Sequence, residues 1–157
     1  MDHEIIIRTA TENDVNSIFA LIKELAEYEK LSNQISTSAK QLKETLFGEE
    51  RFVEVLVAVF DKEIVGYALF FKNFSTFLGK PGIYLEDLYV KLEMRSKGIG
   101  KALLDKIISI ANERNYGRVE WSVLDWNQSA IEFYKKIGAK SLDDWTIFRL
   151  TENKFKL

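Results

Sequence analysis

Residues 84–104, YLEDLYVKLEMRSKGIGKALL, run from a strand-like stretch through a basic, glycine-spaced turn into a helical pattern. So short a handover from strand to helix constrains the fold to layers, with helices packed on a sheet. The helical half continues as GIGKALLDKIISIANERN, in which Ala102, Leu103, Lys106, Ile107, Ile110 and Ala111 form one face and its rim. The strand half holds two adjacent carboxylates, Glu86 and Asp87, inside an otherwise apolar run. Burying an ionised carboxylate is costly unless something compensates it.

The rest of the chain extends the same layered pattern. EIIIRTA reads as a short strand, and TEND has the form of a capping box, with Thr11 as cap and Asp14 three residues on. Val15, Ile18, Phe19, Ile22 and Leu25 recur at helical spacing, which predicts a helix from residue 12 to about 29. After the polar SNQIS, a second helix is predicted over SAKQLKETLF, stopped near Gly48. FVEVLVAVF and EIVGYALFFKNF, joined by DKE, predict an antiparallel hairpin. NFSTFLGKPG, with the only proline, Pro81, predicts a loop, and RVEWSVLDW a strand. NQSAIEFYKKIG predicts a short helix with Asn127 as cap and Gly138 as stop, and DDWTIFRL a last strand. The order β-α-α-β-β-β-α-β-α-β predicts an α/β fold with a mixed sheet and helices on both faces. With 157 residues and no linker, repeat or low-complexity stretch, the expectation is one domain over 1–157.

Composition narrows the chemistry. A formal net charge of -2 offers no basic excess for neutralising phosphates, so no nucleic-acid partner is expected. The absence of cysteine removes disulfides, thiolate nucleophiles and cysteine metal sites. The single histidine, His3, reads as a solvated terminal residue, so neither a Ser-His-Asp triad nor a multi-histidine metal site is expected. MDHEIIIRTATEND lacks the basic start and apolar core of a secretory leader, and no apolar run reaches the length of a membrane span. These features lead to the expectation of a cytoplasmic protein without a membrane partner or a metal.

The turn itself is suited to an anion. A helix N-terminus presents unpaired amides and a positive dipole end, and Gly98 and Gly100 leave room for close approach. Arg95, Lys97 and Lys101 add positive charge. The P-loop pattern fails because Ala102 follows Gly100-Lys101, and the dinucleotide fingerprint fails because Leu103 stands where its third glycine belongs. Taken alone, the glycine pair reads equally as a tight turn into an ordinary helix.

The segments IRTATENDV, LIKELAEYE, YLEDLYV, RSKGIGKALL and WNQSAIEFYKKIGA, taken in order, resemble the GNAT acetyltransferase superfamily, and within it the spermidine/spermine (diamine) and thialysine N-acetyltransferases. The resemblance covers most of the chain. It implies a GNAT-like mixed, largely antiparallel sheet, acetyl-CoA as co-substrate, a small-molecule amine as acceptor, and a homodimer. Arg95-Ser96-Lys97-Gly98-Ile99-Gly100 matches the acetyl-CoA signature, which puts the pyrophosphate on the amides of Ser96 through Lys101. Leu88, Tyr89 and Val90 would bond the pantetheine arm through their backbone, and Asn127, Gln128, Ser129 and Ala130 would line the CoA side. Tyr134 falls on the family's general acid and Glu86 on the acceptor-side carboxylate. Tyr28, Glu29, Glu120, Trp121 and Ser122 fall on further acceptor contacts.

Acetyl transfer to an amine makes demands that these residues can meet. Freeing a lysine-like amine of its proton at neutral pH costs roughly 4 kcal/mol, which a carboxylate such as Glu86 offsets as base. An alkyl thiolate leaving group resembles cysteine, so a tyrosine such as Tyr134 is a suitable proton donor. Without cysteine or a central histidine, direct attack by the amine is expected rather than an acetyl-enzyme. Neighbouring strand residues point to opposite faces, so Glu86 is assigned to the acceptor pocket and Asp87 to structure, unless a bulge intervenes. Read without the resemblance, both carboxylates are structural, Tyr134 is core packing, and Tyr28 and Glu29 are an exposed helix end. Ser75 and Phe77 stand where the polyamine enzymes carry an acidic residue and a tryptophan, which weakens the case for spermine and spermidine and leaves polyamines, diamines, thialysine- or lysine-like amino acids and other small primary amines open as acceptors. A peptide or protein N-acetyltransferase and a CoA-binding module without turnover are the competing readings.

Overall fold

The computed structural model describes residues 4–156, so His3 lies outside the described residues. The chain divides into two compact units, Met1–Ser122 and Val123–Leu157.

The first unit is built on one five-stranded sheet. In chain order its elements are β1 (Ile6–Thr9), α1 (Val15–Tyr28), α2 (Ala39–Phe47), β2 (Val53–Phe60), β3 (Glu63–Ser75), β4 (Lys80–Val90), α3 (Ile99–Glu113) and β5 (Val119–Trp121). The strands lie in the order β1-β2-β3-β4-β5. The first three pairings are antiparallel and β4–β5 is parallel. The sheet is therefore mixed, as the pattern predicts, and largely antiparallel, as the family resemblance implies.

Strand alternation sorts the core onto two faces. Val55 and Val57 of β2, Tyr67 and Leu69 of β3 and Tyr89 of β4 pack with Ile18 and Leu21 of α1 and Leu46 of α2. The intervening residues serve the other face, where α3 lies. At Gly66 an added Cβ would sit 3.3 Å from Val90 Cγ2 and 3.5 Å from Leu103 Cδ1, so strand and helix meet there with no room for a side chain. Leu103, Leu104 and Ile107 of α3 are fully buried. Truncating one of them to alanine costs about 2–5 kcal/mol by the usual cavity penalty.

Local signals set the element ends. The backbone N–H of Thr11 donates to the Asp14 carboxylate at 2.7 Å, as the capping box predicts, and Arg8 grips the same carboxylate at 2.7 and 3.0 Å. A 3-10 turn over Glu12–Asp14 precedes α1, so the helix starts three residues later than its periodicity suggests. Ser38 caps α2 by accepting from the Gln41 amide, and Gly48 ends it. Arg114, just past α3, forms two 2.7 Å bonds to Glu54 of β2.

Two sequence expectations fail in this unit. NFSTFLGKPG is mostly strand, because Asn73, Phe74 and Ser75 pair with Gly82, Pro81 and Lys80, which leaves only residues 76–79 as the turn. Pro81 is tolerated near the start of β4, where a missing N–H does least harm. Ser75 is buried and its hydroxyl accepts from the Leu78 amide, closing that turn. RVEWSVLDW contributes only three strand residues.

The second unit holds α4 (Gln128–Lys136). Asn127 caps it through Oδ1, which accepts from the Ala130 amide, and Gly138 (φ 95°) ends it with its N–H on the Lys135 carbonyl. DDWTIFRL forms no strand. Its β-branched and aromatic residues fit a pleated surface, but that preference acts only through ladder partners and packing, and the described residues supply no ladder there.

Candidate active site

The two adjacent carboxylates lie at a β-bulge. In the β3–β4 ladder Leu69 pairs with Asp87 and the next residue, Phe70, pairs with Leu85, so Glu86 is the extra residue. A bulge resets the inside–outside alternation of its strand. Upstream, Tyr84 shares a face with its partner Phe71, and Glu86 follows it by alternation; downstream, Asp87 and Tyr89 take that same face. Both carboxylates thus stand on the side of the sheet covered by α1. Asp87 is therefore not on the face opposite Glu86, where simple alternation places it; the bulge overturns that expectation.

The two differ sharply in surroundings. Glu86 is exposed. Asp87 is half-buried, and Tyr67 donates its hydroxyl to Asp87 Oδ2 at 2.8 Å. Burial pushes the Asp87 carboxyl up to about 6; the Tyr67 hydrogen bond pulls it down, and the charges of Glu86 and Glu29 push it up. Burial likewise holds Tyr67 well above the usual phenol range, with Asp87 adding to the effect. Tyr67 therefore remains a donor at any physiological pH.

The end of α1 completes this corner. Tyr28 is its last residue and Glu29 follows as its C-cap. The Arg95 guanidinium carbon lies 4.4 Å from the centre of the Tyr28 ring and 5.4 Å from that of Tyr89, while Arg95 Nε donates to the Val90 carbonyl at 3.1 Å. Stacking of this kind is worth about 0.5–2 kcal/mol and pins the helix end to β4. Glu29 is raised above the usual carboxylate range by burial. On β5, Glu120 pairs in register with Tyr84, and Ser122 Oγ lies 2.9 Å from the Tyr84 hydroxyl. Glu120 is already ion-paired with Arg118 at 2.5 Å. Trp121 pairs with Leu85 and so belongs to the opposite face.

The expected anion turn has the predicted shape. Ser96 (φ 61°) and Gly98 (φ 79°) adopt left-handed backbone, and Gly98 caps α3. An added Cβ at Gly98 would meet nothing within 4 Å, and at Gly100 only Val90 Cγ2 at 3.9 Å. The first amides of α3, from Ile99 through Lys101, have no partner within the helix. The cationic side chains have other partners: Arg95 as above, Lys97 on Met94 Sδ at 3.5 Å, Lys101 on Asp105 at 2.6 Å. Next to this turn, β4 runs alone along one edge. The β4–β5 ladder contains only Ile83, Leu85 and the residue between them, while β4 stays paired with β3 through Leu88, Tyr89 and Val90. Among the described residues no strand covers that edge beyond Leu85.

In the second unit, Ser129 Oγ donates to Asn127 Oδ1 at 3.3 Å, and Gln128 Nε2 to the Asp125 carbonyl at 3.4 Å. Tyr134 lies on α4 beside Phe133, ring centres 5.4 Å apart. A separate cleft of about 480 Å³ runs along the first half of α1, lined by Arg8, Asp14 and Lys62 among others, and does not include the bulge. Among the described residues no cluster could hold a metal ion, and no helix is long and apolar enough to cross a membrane.

Residues 18–139 match the acetyltransferase (GNAT) family. The chain belongs to the GNAT acetyltransferase family. This GNAT protein is an N-acetyltransferase, and its relatives are consistent with that. It is 40% identical over 156 residues to the thialysine N-epsilon-acetyltransferase of Bos taurus, covering 92% of this chain and 91% of that protein. It is 32% identical over 190 residues to the L-ornithine N5-acetyltransferase of Arabidopsis thaliana, covering 92% and 83%. An integron cassette protein from the mobile metagenome of V. cholerae superposes with a TM-score of 0.80 at 26% identity, covering 95% of this chain and 93% of that one. Sequence reasoning finds the strand at β4 and the turn into α3, but it overlooks Tyr67 as the partner of Asp87 and puts Asp87 on the wrong face. Two adjacent carboxylates in an apolar strand raise the question of a bulge, but only the register of β3 with β4 places it.

Proposed function

We propose that the protein transfers the acetyl group of acetyl-CoA to the primary amine of a small cationic acceptor. Among acceptors, a thialysine-, lysine- or ornithine-like amino acid is favoured by the named activities of its relatives, with diamines and polyamines as chemical neighbours. The observation that carries this reading is the corner where Glu29, Glu86 and Asp87 gather beside the uncovered edge of β4. An ammonium group relieves the mutual repulsion of these carboxylates, so the corner selects for positive charge.

The left-handed turn at Ser96–Gly98 and the open space over Gly98 and Gly100 fit a pyrophosphate on the amides of Ser96 through Lys101. The backbone of Leu88, Tyr89 and Val90 suits an extended pantetheine arm, which would add to the sheet edge as a strand does. Asn127, Gln128, Ser129 and Ala130 complete the CoA side, and Tyr134 serves as general acid to the departing thiolate. In this reading the two units act as one acetyltransferase domain in a cytoplasmic homodimer, and the acceptor amine attacks the thioester directly once a carboxylate of the bulge has taken its proton.

The test is release of CoA thiol from acetyl-CoA with thialysine, lysine, ornithine, short diamines, spermidine, spermine and a basic peptide. Strong release with one small amine supports the reading. Release with the peptide alone moves the acceptor to a protein, and thiol release with none of them overturns turnover of small amines.

A further inference from the structure

We infer that Asp87, held by the Tyr67 hydroxyl, is the group that takes the proton from the acceptor's ammonium, and that the neighbouring Glu86 serves to attract and hold the cation. The inference rests on the amine-acetyltransferase reading and divides between two adjacent residues what the sequence assigns to Glu86 alone.

Three features of the geometry distinguish the pair. First, the bulge at Glu86 puts both carboxylates on the α1 face, so either is placed to meet an amine at the sheet edge. Second, only Asp87 is oriented. Tyr67 occupies its Oδ2 at 2.8 Å, and Oδ1 takes no hydrogen bond from the described residues. A base fixed at one oxygen and open at the other accepts a proton without losing its alignment. Third, Asp87 is half-buried while Glu86 is exposed. Carboxylates in water, with pKa values of about 4, are weak proton acceptors at neutral pH, and burial is what makes a better one.

The groups acting on Asp87 pull in opposing directions. The Tyr67 hydroxyl of β3 favours its ionised form, while Glu86 of β4 and Glu29 at the end of α1 disfavour it; in the same corner Arg95, from the loop after β4, is turned onto the rings of Tyr28 and Tyr89. Burial and two acidic neighbours raise Asp87 to about 6, close enough to neutral pH for proton exchange in either direction. Tyr67 is a positioning residue in this arrangement: it supplies the opposing pull that keeps the carboxylate ionised above that pH.

Atoms and electrons balance in the transfer. The ammonium R–NH3+ gives one proton to Asp87 Oδ1 and becomes R–NH2. Its lone pair forms the C–N bond to the thioester carbonyl carbon, and the C–S bond breaks with its electrons on sulfur. The proton then lost from nitrogen ends on the thiolate, and Asp87 returns the first proton to solvent. One acetamide, one thiol and one proton result.

The experiment combines two readouts. Carboxyl-carbon NMR titration of the intact protein should show one aspartate titrating near pH 6, absent in Asp87→Asn. No carboxyl titrating above about pH 5 overturns the inference without reference to activity. Kinetics with the best amine of the acceptor panel should show an acid limb in kcat/KM that Asp87→Asn removes, with turnover lowered on the order of 100-fold. Tyr67→Phe should move that limb to higher pH by up to about one unit while a folded protein remains. Glu86→Gln should raise the acceptor KM several-fold and keep the limb. Loss of the limb in Glu86→Gln with its retention in Asp87→Asn overturns the assignment. If no amine in the panel turns over, the acceptor reading itself fails and takes this one with it; turnover with an unchanged profile in Asp87→Asn sinks the inference alone.

Discussion

Tyr67 and Asp87 are diagonal neighbours across the β3–β4 ladder, joined by a 2.8 Å hydrogen bond one residue past the bulge. This single contact links the core beneath α1 to the edge where chemistry is proposed, since Tyr67 is fully buried there. It also fixes how the fold responds to pH.

Asp87 is raised above its unfolded value, so the stability associated with its protonated form is present below about pH 4 and is lost as pH rises through about 6. The cost at neutral pH is on the order of 2–3 kcal/mol at most. Chemical unfolding at pH 4.5 and 7.5 should therefore show Asp87→Asn gaining on the parent protein at the higher pH. Equal curves at both values would mean that the carboxyl is not raised.

Asp14 behaves oppositely. Its hydrogen bond to Arg8, helped by the Thr11 amide, holds it below the usual carboxylate range. That stability is present above the unfolded pKa and is lost as pH falls through the folded one. Asp14→Asn should cost about 1–2 kcal/mol at pH 7, limited by the exposure of Arg8, and nearly nothing at pH 2. A constant penalty across that range would assign the effect to packing.

The two glycines of the turn separate backbone strain from ligand contact. Gly98→Ala should destabilise by about 1 kcal/mol, because φ is 79° there. Gly100→Ala has room beside Val90 and should leave the melting temperature unchanged or slightly higher. Its acetyl-CoA KM should nonetheless rise at least several-fold. An unchanged KM would remove the phosphate from this turn.

Tyr134→Phe should lower kcat at least tenfold with acetyl-CoA affinity preserved, measured by steady-state kinetics alongside CoA binding calorimetry. Full turnover in that variant would leave the thiolate without its proposed acid.

Much of this is legible from residues alone. The strand at 84–90, the Gly98 turn and the α3 face are written in alternation, glycine placement and helical spacing, all of which are local. The bulge is not, because it depends on how β3 and β4 align over more than ten residues, and no short window contains that alignment. The same limit explains DDWTIFRL, a good strand sequence without a ladder, and Pro81, a loop signal overruled by its hairpin partners. For Asp87 the sequence shows only that burial would be costly; the fold supplies Tyr67, from twenty residues upstream, to offset that cost.

The bulge also bears on any attempt to recombine this domain with another. Glu86 is a phase boundary in β4: upstream of it even-numbered residues look toward α1, and downstream odd-numbered ones do. A partner strand that paired β4 residue for residue, without skipping Glu86, would hold the intact sequence in its upstream phase throughout. Asp87 and Tyr89 would then trade places with Leu88 and Val90, exporting a phenol and a carboxylate into the contact with α3. A graft of the β3–β4 hairpin therefore has to carry the boundary with it, or it will keep the motif and lose the site.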